Sequence, residues 1–541
     1  MPATHEVTNQ PPPLVDHDVY AGDLALAGAV RRLGAETAGL RELGRLAGTE
    51  AAQRWGTEAN ASPPVLRTHD RYGHRLDEVE FHPSWHRLLT EAVGHGLAGT
   101  PWIAAGPSAP MPHTTRAAGL LVWTQVEAGH GCPVSMTYSA IPALRAAPDL
   151  VTAYEPGLTA TAYEPGLRPP AAKAGLLAGM GMTEKQGGSD VRANTTRAVD
   201  AGAGTWRLTG HKWFCSAPMC DLFLVLAQVA GSGLTCFLVP RVLPDGTRNP
   251  FRLQRLKDKL GNRSNASSEV EFEDTVGWAV GQVGRGLRTI LEMVRMTRLD
   301  CVLGSAGLMR AAVAQAVHHT THRSAFGGLL RDKPLMAAVL ADLAIESEAA
   351  TMLGLRLAEA VDTGEDDFGR LATAAAKFWV CKRAPAVVGE ALECLGGNGY
   401  VEESGLPRLL REVPLNSIWE GAGNVMALDV LRALAREPTG AEAVLAEIDA
   451  AAGADARLDA ATKRLQADLH DLASTGDESR GRQVAAALAL ALQGSLLVRH
   501  SPAEVADAFC ATRLDGPPAV FGTLPRGTPA AAVVARAAPT R

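Results

Sequence analysis

Apolar residues recur at intervals of three and four along the first third of the chain. Stretches such as LALAGAVRRLGAETAGL and RAAGLLVWTQVEAG follow this spacing between proline-bearing loops, and few windows alternate with period two. This spacing is typical of amphipathic helices, so we predict a helical N-terminal domain over residues 1–182. Within it, TAYEPGL occurs at 152–158 and again at 161–167. We interpret the Pro-Gly of each copy as the turn of a duplicated surface loop.

The pattern changes to short runs of β-type residues over residues 183–280. The runs TWRLTG, DLFLVLAQV, LTCFLVPR and SSEVEFED are separated by Gly, Pro, Asp and Asn. Short apolar or alternating runs bounded by turn residues are typical of strands. The sequence therefore predicts a small antiparallel sheet or β-barrel in the middle of the chain.

Helical spacing returns over 281–436, with breaks at the glycine-rich stretches GGNGY and GAGN. We expect these long helices to pack as a bundle. Residues 437–541 are rich in alanine, and Gly and Pro become more frequent after Leu514. This pattern predicts an additional C-terminal helical domain with a loose tail, and a multidomain α+β protein overall.

Composition is consistent with a large folded protein. The 541 residues, of which 46% are hydrophobic, have room for three or four domains at roughly 150 residues each. Eight cysteines occur without a CxxC pair, which indicates reduced thiols and a cytoplasmic location. The N-terminus has no signal-peptide pattern, and the longest apolar run, Val484 to Leu492, is too short to cross a bilayer. We therefore expect no membrane association.

The segment GMGMTEKQGGSDVRANTTRA, residues 179–198, combines glycines with Ser, Thr, Asp and Asn. Glycine lets a backbone approach a ligand closely, and the hydroxyls of Thr183 and Ser189, with nearby N–H groups, suit polar and anionic groups of a cofactor. A turn-rich loop without a ligand has the same composition. The segment alone leaves both interpretations open.

Several motifs together resemble the acyl-CoA dehydrogenase family. They are, in order, MTEKQGGSD, GHKWFCS, KDKLGNRSNASSEVEFED, HRSAFG, ALECLGGNGY and IWEGAGN, and they span residues 180–430. The resemblance implies a helical N-terminal domain, a central antiparallel β-barrel and a four-helix bundle. It also implies a homotetramer with FAD bound between subunits.

The resemblance assigns cofactor contacts to residues of these motifs. Thr183 and Ser189 are expected to bond the isoalloxazine edge or the pyrophosphate, Phe214 to pack on the ring and Ser216 to donate to it. Arg323 is expected to pair with a phosphate. The full predicted set is Met182, Thr183, Gly188, Ser189, Phe214, Cys215, Ser216, Arg323, Phe326, Glu393, Gly396, Gly397, Trp419, Gly421 and Asn424.

Glu420 is the candidate catalytic base. Desaturation of an acyl thioester needs a base for the α-proton and an acceptor for the β-hydride, and Glu420 occupies the carboxylate position of the family's aromatic-Glu-Gly segment. Two departures from the family pattern point to an altered acyl pocket and weak turnover, and a third changes a flavin contact. Trp419 replaces a tyrosine, Asn265-Ala266 replace Asp-Thr, and Glu393 replaces a glutamine that donates a hydrogen bond.

The motifs and the extra C-terminal domain most resemble a branch of this family that associates with DNA and responds to alkylation damage. Residues 437–541 carry a net charge of -3, but residues 479–541 have seven arginines against three acids. We expect sequence-independent, salt-sensitive binding of double-stranded DNA, with Arg432 and Arg513 as candidate phosphate contacts. The equal alternative is that these arginines pair with acids or solvate the surface.

Two further functions stay open, namely a conventional dehydrogenase of a short or branched acyl-CoA and a flavin monooxygenase on the same fold. The histidine pairs His82/His86 and His318/His322 have the i, i+4 spacing of metal ligands, but neither pair has a third ligand nearby in sequence. We therefore interpret them as capping or solvated histidines and expect no metal site.

Overall fold

A computed structural model describes residues 4–104, 109–516 and 520–540. The α-helices are α1 (Leu24–Arg32), α2 (Ala38–Gly48), α3 (Glu50–Ala61), α4 (Pro83–Gly94), α5 (Pro112–Thr124), α6 (Gly131–Leu144), α7 (Pro148–Leu158), α8 (Gly286–His322), α9 (Pro334–Thr363), α10 (Asp366–Glu393), α11 (Leu406–Glu412), α12 (Gly423–Arg436), α13 (Pro438–Asp449), α14 (Ala456–Thr475), α15 (Gly481–His500), α16 (Ala503–Phe509) and α17 (Ala530–Ala537). The strands are β1 (Val65–His69), β2 (Arg75–Glu80), β3 (Ala178–Gly181), β4 (Arg197–Gly202), β5 (Thr205–Ser216), β6 (Leu222–Val229), β7 (Gly233–Pro240), β8 (Phe251–Leu256), β9 (Ser267–Val280), β10 (Ser324–Ala325) and β11 (Gly328–Leu329). The chain is thus α+β, as predicted.

The chain divides into two compact units. The first contains residues 1–53, 113–126 and 301–541, and the second contains residues 54–112 and 127–300. These units do not coincide with the four domains expected from the sequence, with boundaries near 182, 280 and 436, so that finer division stays a prediction.

The second unit is built around a seven-stranded sheet formed by β3 to β9. Strands β6 and β7, LFLVLAQV and GLTCFLVP, are nearly continuous apolar runs and are buried over most of their length. The pairings run β6–β4–β5–β9–β7 and return to β6. β6 pairs parallel with both β3 and β4, so the sheet is mixed and not wholly antiparallel as predicted.

The helical N-terminal prediction missed a β-hairpin. Strands β1 and β2 pair antiparallel and lie in the second unit, where alternate residues of β2 are buried. The duplicated heptapeptide also differs from the prediction of two loops. The copy at 152–158 lies inside α7, with Pro156 within the helix, and the copy at 161–167 is irregular.

Among its described residues, the first unit is helical apart from the short β10–β11 hairpin. α10 packs against α9, α12, α13 and α15, and its buried residues include several alanines together with Phe378, Val380 and Val387. Part of the segment after Leu514 is ordered, because α17 packs against α9 and buries Val533 and Val534. The predicted loose tail is therefore wrong for residues 530–537, whereas residues 520–529 are irregular.

One helical segment, Glu478–His500, is long and apolar enough to cross a membrane among the described residues. Its most apolar window is 67% buried within the fold, as in a core helix of a protein that does not cross a membrane.

Candidate functional site

The motif loop of residues 182–189, in the second unit, is anchored by a buried carboxylate. Glu184 is fully buried, and its Oε1 accepts a hydrogen bond from the Lys212 ammonium at 2.9 Å. The N–H groups of Thr195 and Thr196 donate to the same carboxylate at 2.7 and 3.1 Å. Burial alone would raise the pKa of Glu184, but the Lys212 charge and these donors outweigh burial and lower it. The loop therefore starts from a fixed, charged anchor.

Beyond this anchor the loop folds back, so that Gly188 lies against the side chain of Thr183. A Cβ at Gly188 would stand 2.4 Å from Thr183 Oγ1, so only glycine allows this approach. The Trp213 N–H donates to the Thr183 carbonyl at 2.8 Å and ties the loop to β5. Met182 and Thr183 are half-buried, whereas Gly188 and Ser189 are exposed.

A β-bulge near the end of β5 turns Phe214 outward. Lys212 pairs with Val270 and Cys215 pairs with Ser268, so β5 has one residue more than β9 in this interval. In a regular strand Lys212 and Cys215 would point to opposite faces. With the extra residue both are buried, and the Phe214 ring is 51% exposed.

The other residues around the bulge have separate surroundings. The Lys257 ammonium lies 3.1 Å from the centre of the Trp213 ring, a cation–π contact. Ser216 is half-buried, with its Oγ 3.5 Å from Ser267 Oγ. The Cys215 thiol is buried and donates to the Met180 carbonyl at 3.6 Å, and the predicted cofactor contact of Cys215 stays a prediction. Burial raises the pKa of this thiol to about 12.

These residues suit a flavin. Phe214 presents an open aromatic face, and the hydroxyls of Thr183, Ser189 and Ser216 can donate to ring or phosphate oxygens. The close contact between Gly188 and Thr183 means that a residue with a side chain at position 188 would change the conformation of the loop. Met182 and Ser189 stay predicted contacts.

In the first unit the predicted base lies on a sharply turned segment. Glu420 has a φ of 57°, in the left-handed region that non-glycine residues rarely occupy. It is half-buried between Trp419 and Gly421. The Trp419 indole N–H donates to Asn416 Oδ1 at 2.9 Å, which fixes the indole beside the carboxylate.

A buried lysine holds this segment from α10. The Lys377 ammonium donates to the carbonyls of Asn416, Trp419 and Gly421 at 3.0, 2.8 and 2.9 Å. Lys377 is 1% exposed. Lys377 belongs to none of the motifs recognised in the sequence, although a lone lysine in the apolar run ATAAAKFWV is a detectable signal.

The second glycine-rich turn follows the end of α10. Glu393 is the last residue of this helix and is exposed, as are Gly396 and Gly397. Gly396 has a φ of 59°, which glycine adopts without strain. The turn and the Glu420 segment both pack against α10, so the structure brings these two predicted groups to one helix.

Asn424 lies exposed at the start of α12 and is held from the C-terminal extension. The Arg482 guanidinium, at the start of α15, donates to Asn424 Oδ1 at 3.0 Å. A Cβ at Gly423 would stand 2.3 Å from Lys382 Cε, so a second cation lies against this helix start. Neither Arg482 nor Lys382 was identified from the sequence, because no motif of the family includes them.

The HRSAFG segment forms the β10–β11 hairpin. Phe326 and Gly327 occupy its two-residue turn with φ values of 52° and 75°, and Phe326 is 93% exposed. Arg323 donates to the carbonyl of Asn9 at 2.5 Å. Asn9 also exchanges two hydrogen bonds of 2.8 Å with the backbone of Ser324, so the N-terminal segment braces the hairpin.

The two predicted DNA contacts differ in the structure. Arg432 is exposed on α12. Arg513 is 5% exposed and its guanidinium bonds Asp342 and Glu346, at 2.5 and 2.9 Å. Its assignment as a phosphate contact is therefore wrong, because such a contact would take Arg513 away from the buried Asp342 and leave Glu346 with Arg383 alone.

Comparison with known proteins identifies the family. The model of the adaptive response protein AidB N-terminal domain matches residues 9–165, and the middle and C-terminal acyl-CoA dehydrogenase domains match 179–275 and 284–435. The chain is similar to the putative acyl-CoA dehydrogenase AidB of Escherichia coli K12, with 46% identity over 95% of each chain. It is also similar to acyl-CoA dehydrogenase family member 11 of Caenorhabditis elegans, with 31% identity over 77% of this chain and 70% of that protein.

The fold agrees with a solved structure. The crystal structure of C. elegans ACDH-11 in complex with C11-CoA superposes with a TM-score of 0.85 and 28% identity, over 94% of each chain. The sequence relatives, the three domain matches and this superposition cover nearly the whole chain. The chain therefore belongs to the acyl-CoA dehydrogenase family of FAD-dependent oxidoreductases, and within it is AidB-like.

Proposed function

We propose that the chain oxidises an acyl-CoA thioester weakly, with Glu420 as the base that removes the α-proton. The observation that carries this proposal is the Glu420 segment, in which a half-buried carboxylate stands on a left-handed backbone between an indole and a glycine. A carboxylate fixed in this way can approach an α-carbon repeatedly in the same geometry. FAD, when bound, accepts the hydride from the β-carbon.

The chain's own residues divide the remaining work. Thr183, Ser189, Ser216 and Phe214 are proposed to hold and orient the flavin, and Asn424 its phosphates. Trp419 bounds the acyl pocket beside the base, since its indole is fixed by Asn416. An indole in place of the smaller phenol reduces the space for the acyl chain, which supports weak turnover.

The test is an anaerobic absorption titration of the FAD-loaded protein. Butyryl-CoA and undecanoyl-CoA serve as probes, the second because the solved C. elegans relative holds C11-CoA. We expect slow bleaching of the flavin bands with formation of the enoyl thioester. Glu420→Gln should slow bleaching by about 100-fold or more, since loss of a general base costs about 10²–10⁴ in rate.

Glu403→Gln, an exposed acid outside the segment, is the matched control and should bleach like the unmodified protein. Wild-type bleaching by Glu420→Gln would contradict the assignment of the base. Rapid bleaching by butyryl-CoA would favour a conventional short-chain dehydrogenase. Flavin that is reduced only by another donor, with an oxygenated product in air, would favour a monooxygenase.

We further propose that the protein assembles as a homotetramer in the cytoplasm, binds double-stranded DNA without sequence preference and contributes to the response to alkylation damage. The similarity to the adaptive response protein AidB supports the last two points. The exposed Phe326 ring supports a contact between subunits. Light scattering tests the tetramer by measuring the molar mass of the protein in solution. The eight cysteines, which occur without a CxxC pair in the sequence, support a reducing compartment.

Ion pairs reduce the number of described arginines that are available to contact DNA. Within residues 479–541, four form ion pairs with carboxylates, namely Arg480, Arg499, Arg513 and Arg536. Arg432 is exposed and stays the candidate phosphate contact. We expect retardation of a duplex in a gel at low ionic strength that disappears as salt rises.

Arg432→Gln should weaken the retardation equally for unrelated duplex sequences, because a phosphate contact carries no base readout. Arg499→Gln, in which the lost cation is already paired with Glu447, is the control and should leave retardation unchanged. No retardation by the unmodified protein at low salt would contradict DNA binding while leaving the dehydrogenase proposal intact.

A further inference from the structure

Lys377 is a buried cation without a carboxylate partner in the described part of the chain. It lies in the middle of α10, between Ala376 and Phe378, and is 1% exposed. Its recorded hydrogen bonds go to backbone carbonyls, and no ion pair joins it to an Asp or Glu of the described residues. A buried ammonium without a counter-ion costs several kcal/mol unless its protons are satisfied. Such a residue needs an explanation beyond packing.

The three carbonyls account for the protons of the ammonium. A protonated lysine has three N–H donors and no acceptor. Lys377 directs one donor each to Asn416, Trp419 and Gly421, at 3.0, 2.8 and 2.9 Å. The number of acceptors therefore matches the number of donors of the side chain.

The accepting carbonyls flank the proposed base on both sides. Glu420 stands between two of them, and its φ of 57° places it in a conformation that costs about 1–3 kcal/mol for a non-glycine residue. Such a conformation persists only when the surrounding structure imposes it. The bonds from Lys377 hold the segment on both sides of Glu420, because the Trp419 carbonyl belongs to the peptide that precedes Glu420 and the Gly421 carbonyl belongs to the peptide between Gly421 and Ala422.

We propose that Lys377 is the positioning residue that aims the Glu420 carboxylate at the α-carbon of the acyl thioester. This inference rests on the proposed function, and it adds a residue outside the IWEGAGN motif. Lys377 acts through Glu420, because its donors are all directed to the backbone. A displacement of a catalytic group by about 1 Å costs about 100-fold in rate.

Exchange of the α-protons of the thioester for deuterium, followed by NMR in D2O, measures the base separately from hydride transfer. FAD-loaded protein is incubated with butyryl-CoA and undecanoyl-CoA as probes. Lys377→Met removes the charge and the donors at nearly the same length. We expect its maximal exchange rate to fall about 10- to 100-fold, with KM within about threefold, because the acyl thioester still binds.

Arg370→Met is the matched control on the same helix. Arg370 bonds Asp429 at 2.7 Å and joins α10 to α12 without contacting the Glu420 segment. It should lose stability without losing exchange rate. Hydrogen–deuterium exchange should show faster exchange of the amides of residues 416–422 in Lys377→Met and not in Arg370→Met.

The outcomes separate the two claims. Wild-type exchange in Glu420→Gln contradicts the proposed function itself. Loss in Glu420→Gln together with a wild-type rate in Lys377→Met overturns only the role of Lys377, as does an equal loss in Arg370→Met. If Lys377→Met does not fold, Lys377→Arg replaces it. Its guanidinium keeps the charge but shifts the donors, so the rate should fall at constant KM, and an unchanged rate overturns the inference.

Discussion

At the scale of single residues, two buried charges determine the conformation of two loops. Glu184 accepts hydrogen bonds from Lys212 and from the backbone of Thr195 and Thr196, and Lys377 donates to three carbonyls around Glu420. In both cases one side chain satisfies several backbone groups that no secondary structure pairs. The conformation of each glycine-rich motif therefore depends on a buried charged residue. Glu184 lies within its motif, whereas Lys377 lies outside the motif that it holds.

A further buried carboxylate, that of Glu127, predicts acid sensitivity. Its Oε2 accepts from the His130 N–H at 2.9 Å, and its Oε1 accepts from Ser264 Oγ at 2.8 Å. Burial would raise its pKa, but the hydrogen bonds and charge of His130 outweigh burial and lower the pKa to about 2. Since the folded pKa lies below the usual 4.5, the stabilisation is complete above pH 4.5 and is lost as the pH falls towards 2.

We expect Glu127→Gln to reduce the free energy of unfolding at pH 7 by up to about 3 kcal/mol. This figure follows from the lowering of the pKa of Glu127 from 4.5 to about 2, since one pKa unit corresponds to about 1.4 kcal/mol. The difference from the unmodified protein should shrink between pH 4.5 and 2, because the glutamine does not titrate. Urea unfolding at a series of pH values measures it. The exposed Asp149→Asn is the control and should give a constant, small difference, and a pH-independent deficit in Glu127→Gln would contradict the assignment.

At the scale of elements, α10 connects the predicted parts of the site in the first unit. It carries Lys377, ends at Glu393 and packs against the turn at Gly396–Tyr400 and against α12. α15 adds a contact from the C-terminal extension, through Arg482 and Asn424. In the second unit, the bulge in β5 leaves Phe214 exposed while the adjacent Cys215 is buried.

The contact of α15 with α12 predicts a contribution of the extension to cofactor affinity. Arg482 orients Asn424 and places a cation beside it, so Arg482→Gln should raise the Kd for FAD about 3- to 10-fold, the effect of one weakened charged hydrogen bond at an exposed site. Quenching of flavin fluorescence on titration into apoprotein measures the Kd.

Arg480→Gln is the control for this change. Arg480 lies two residues earlier, bonds Asp468 and Asp471 and does not contact α12 among the recorded bonds. It should leave the affinity for FAD unchanged. Equal affinities of Arg482→Gln and the unmodified protein would show that the extension contributes nothing to the cofactor through this arginine.

At the scale of the whole molecule, the fold class and the order of helical and β segments were predictable from the sequence. The periodicities that separate 1–182, 183–280 and 281–436 are local, and burial follows them in β6, β7 and the long helices. The β1–β2 hairpin and α17 were missed, because both are short and stabilised by contacts with residues distant in the sequence. Arg536 of α17, for example, pairs with Glu348 of α9.

The candidate site was predictable as far as its motifs. The Glu420, Thr183 and Phe214 segments were located through their resemblance to motifs of the acyl-CoA dehydrogenase family, and the relatives confirm the family. Lys377 and Arg482 were not identified from the sequence, because a residue that contacts a loop from another helix leaves no signal in the sequence of the loop. Arg513 was misassigned for the same reason, because its partners Asp342 and Glu346 lie about 170 positions away.

The two copies of TAYEPGL show that the local sequence does not determine the conformation of this segment. The copy at 152–158 is helical, and its Gly157 carbonyl accepts from the Leu176 N–H at 2.9 Å. The copy at 161–167 is irregular, and its Ala162 lies so close to Gly175 that a Cβ there would meet the Ala162 carbonyl oxygen at 1.8 Å. The sequence by itself determined the periodicity, the family and the chemistry of the candidate groups. The conformation of each copy, the bulge in β5 and the aim of Glu420 were decided only in the tertiary structure, because packing and buried hydrogen bonds outweigh local preference.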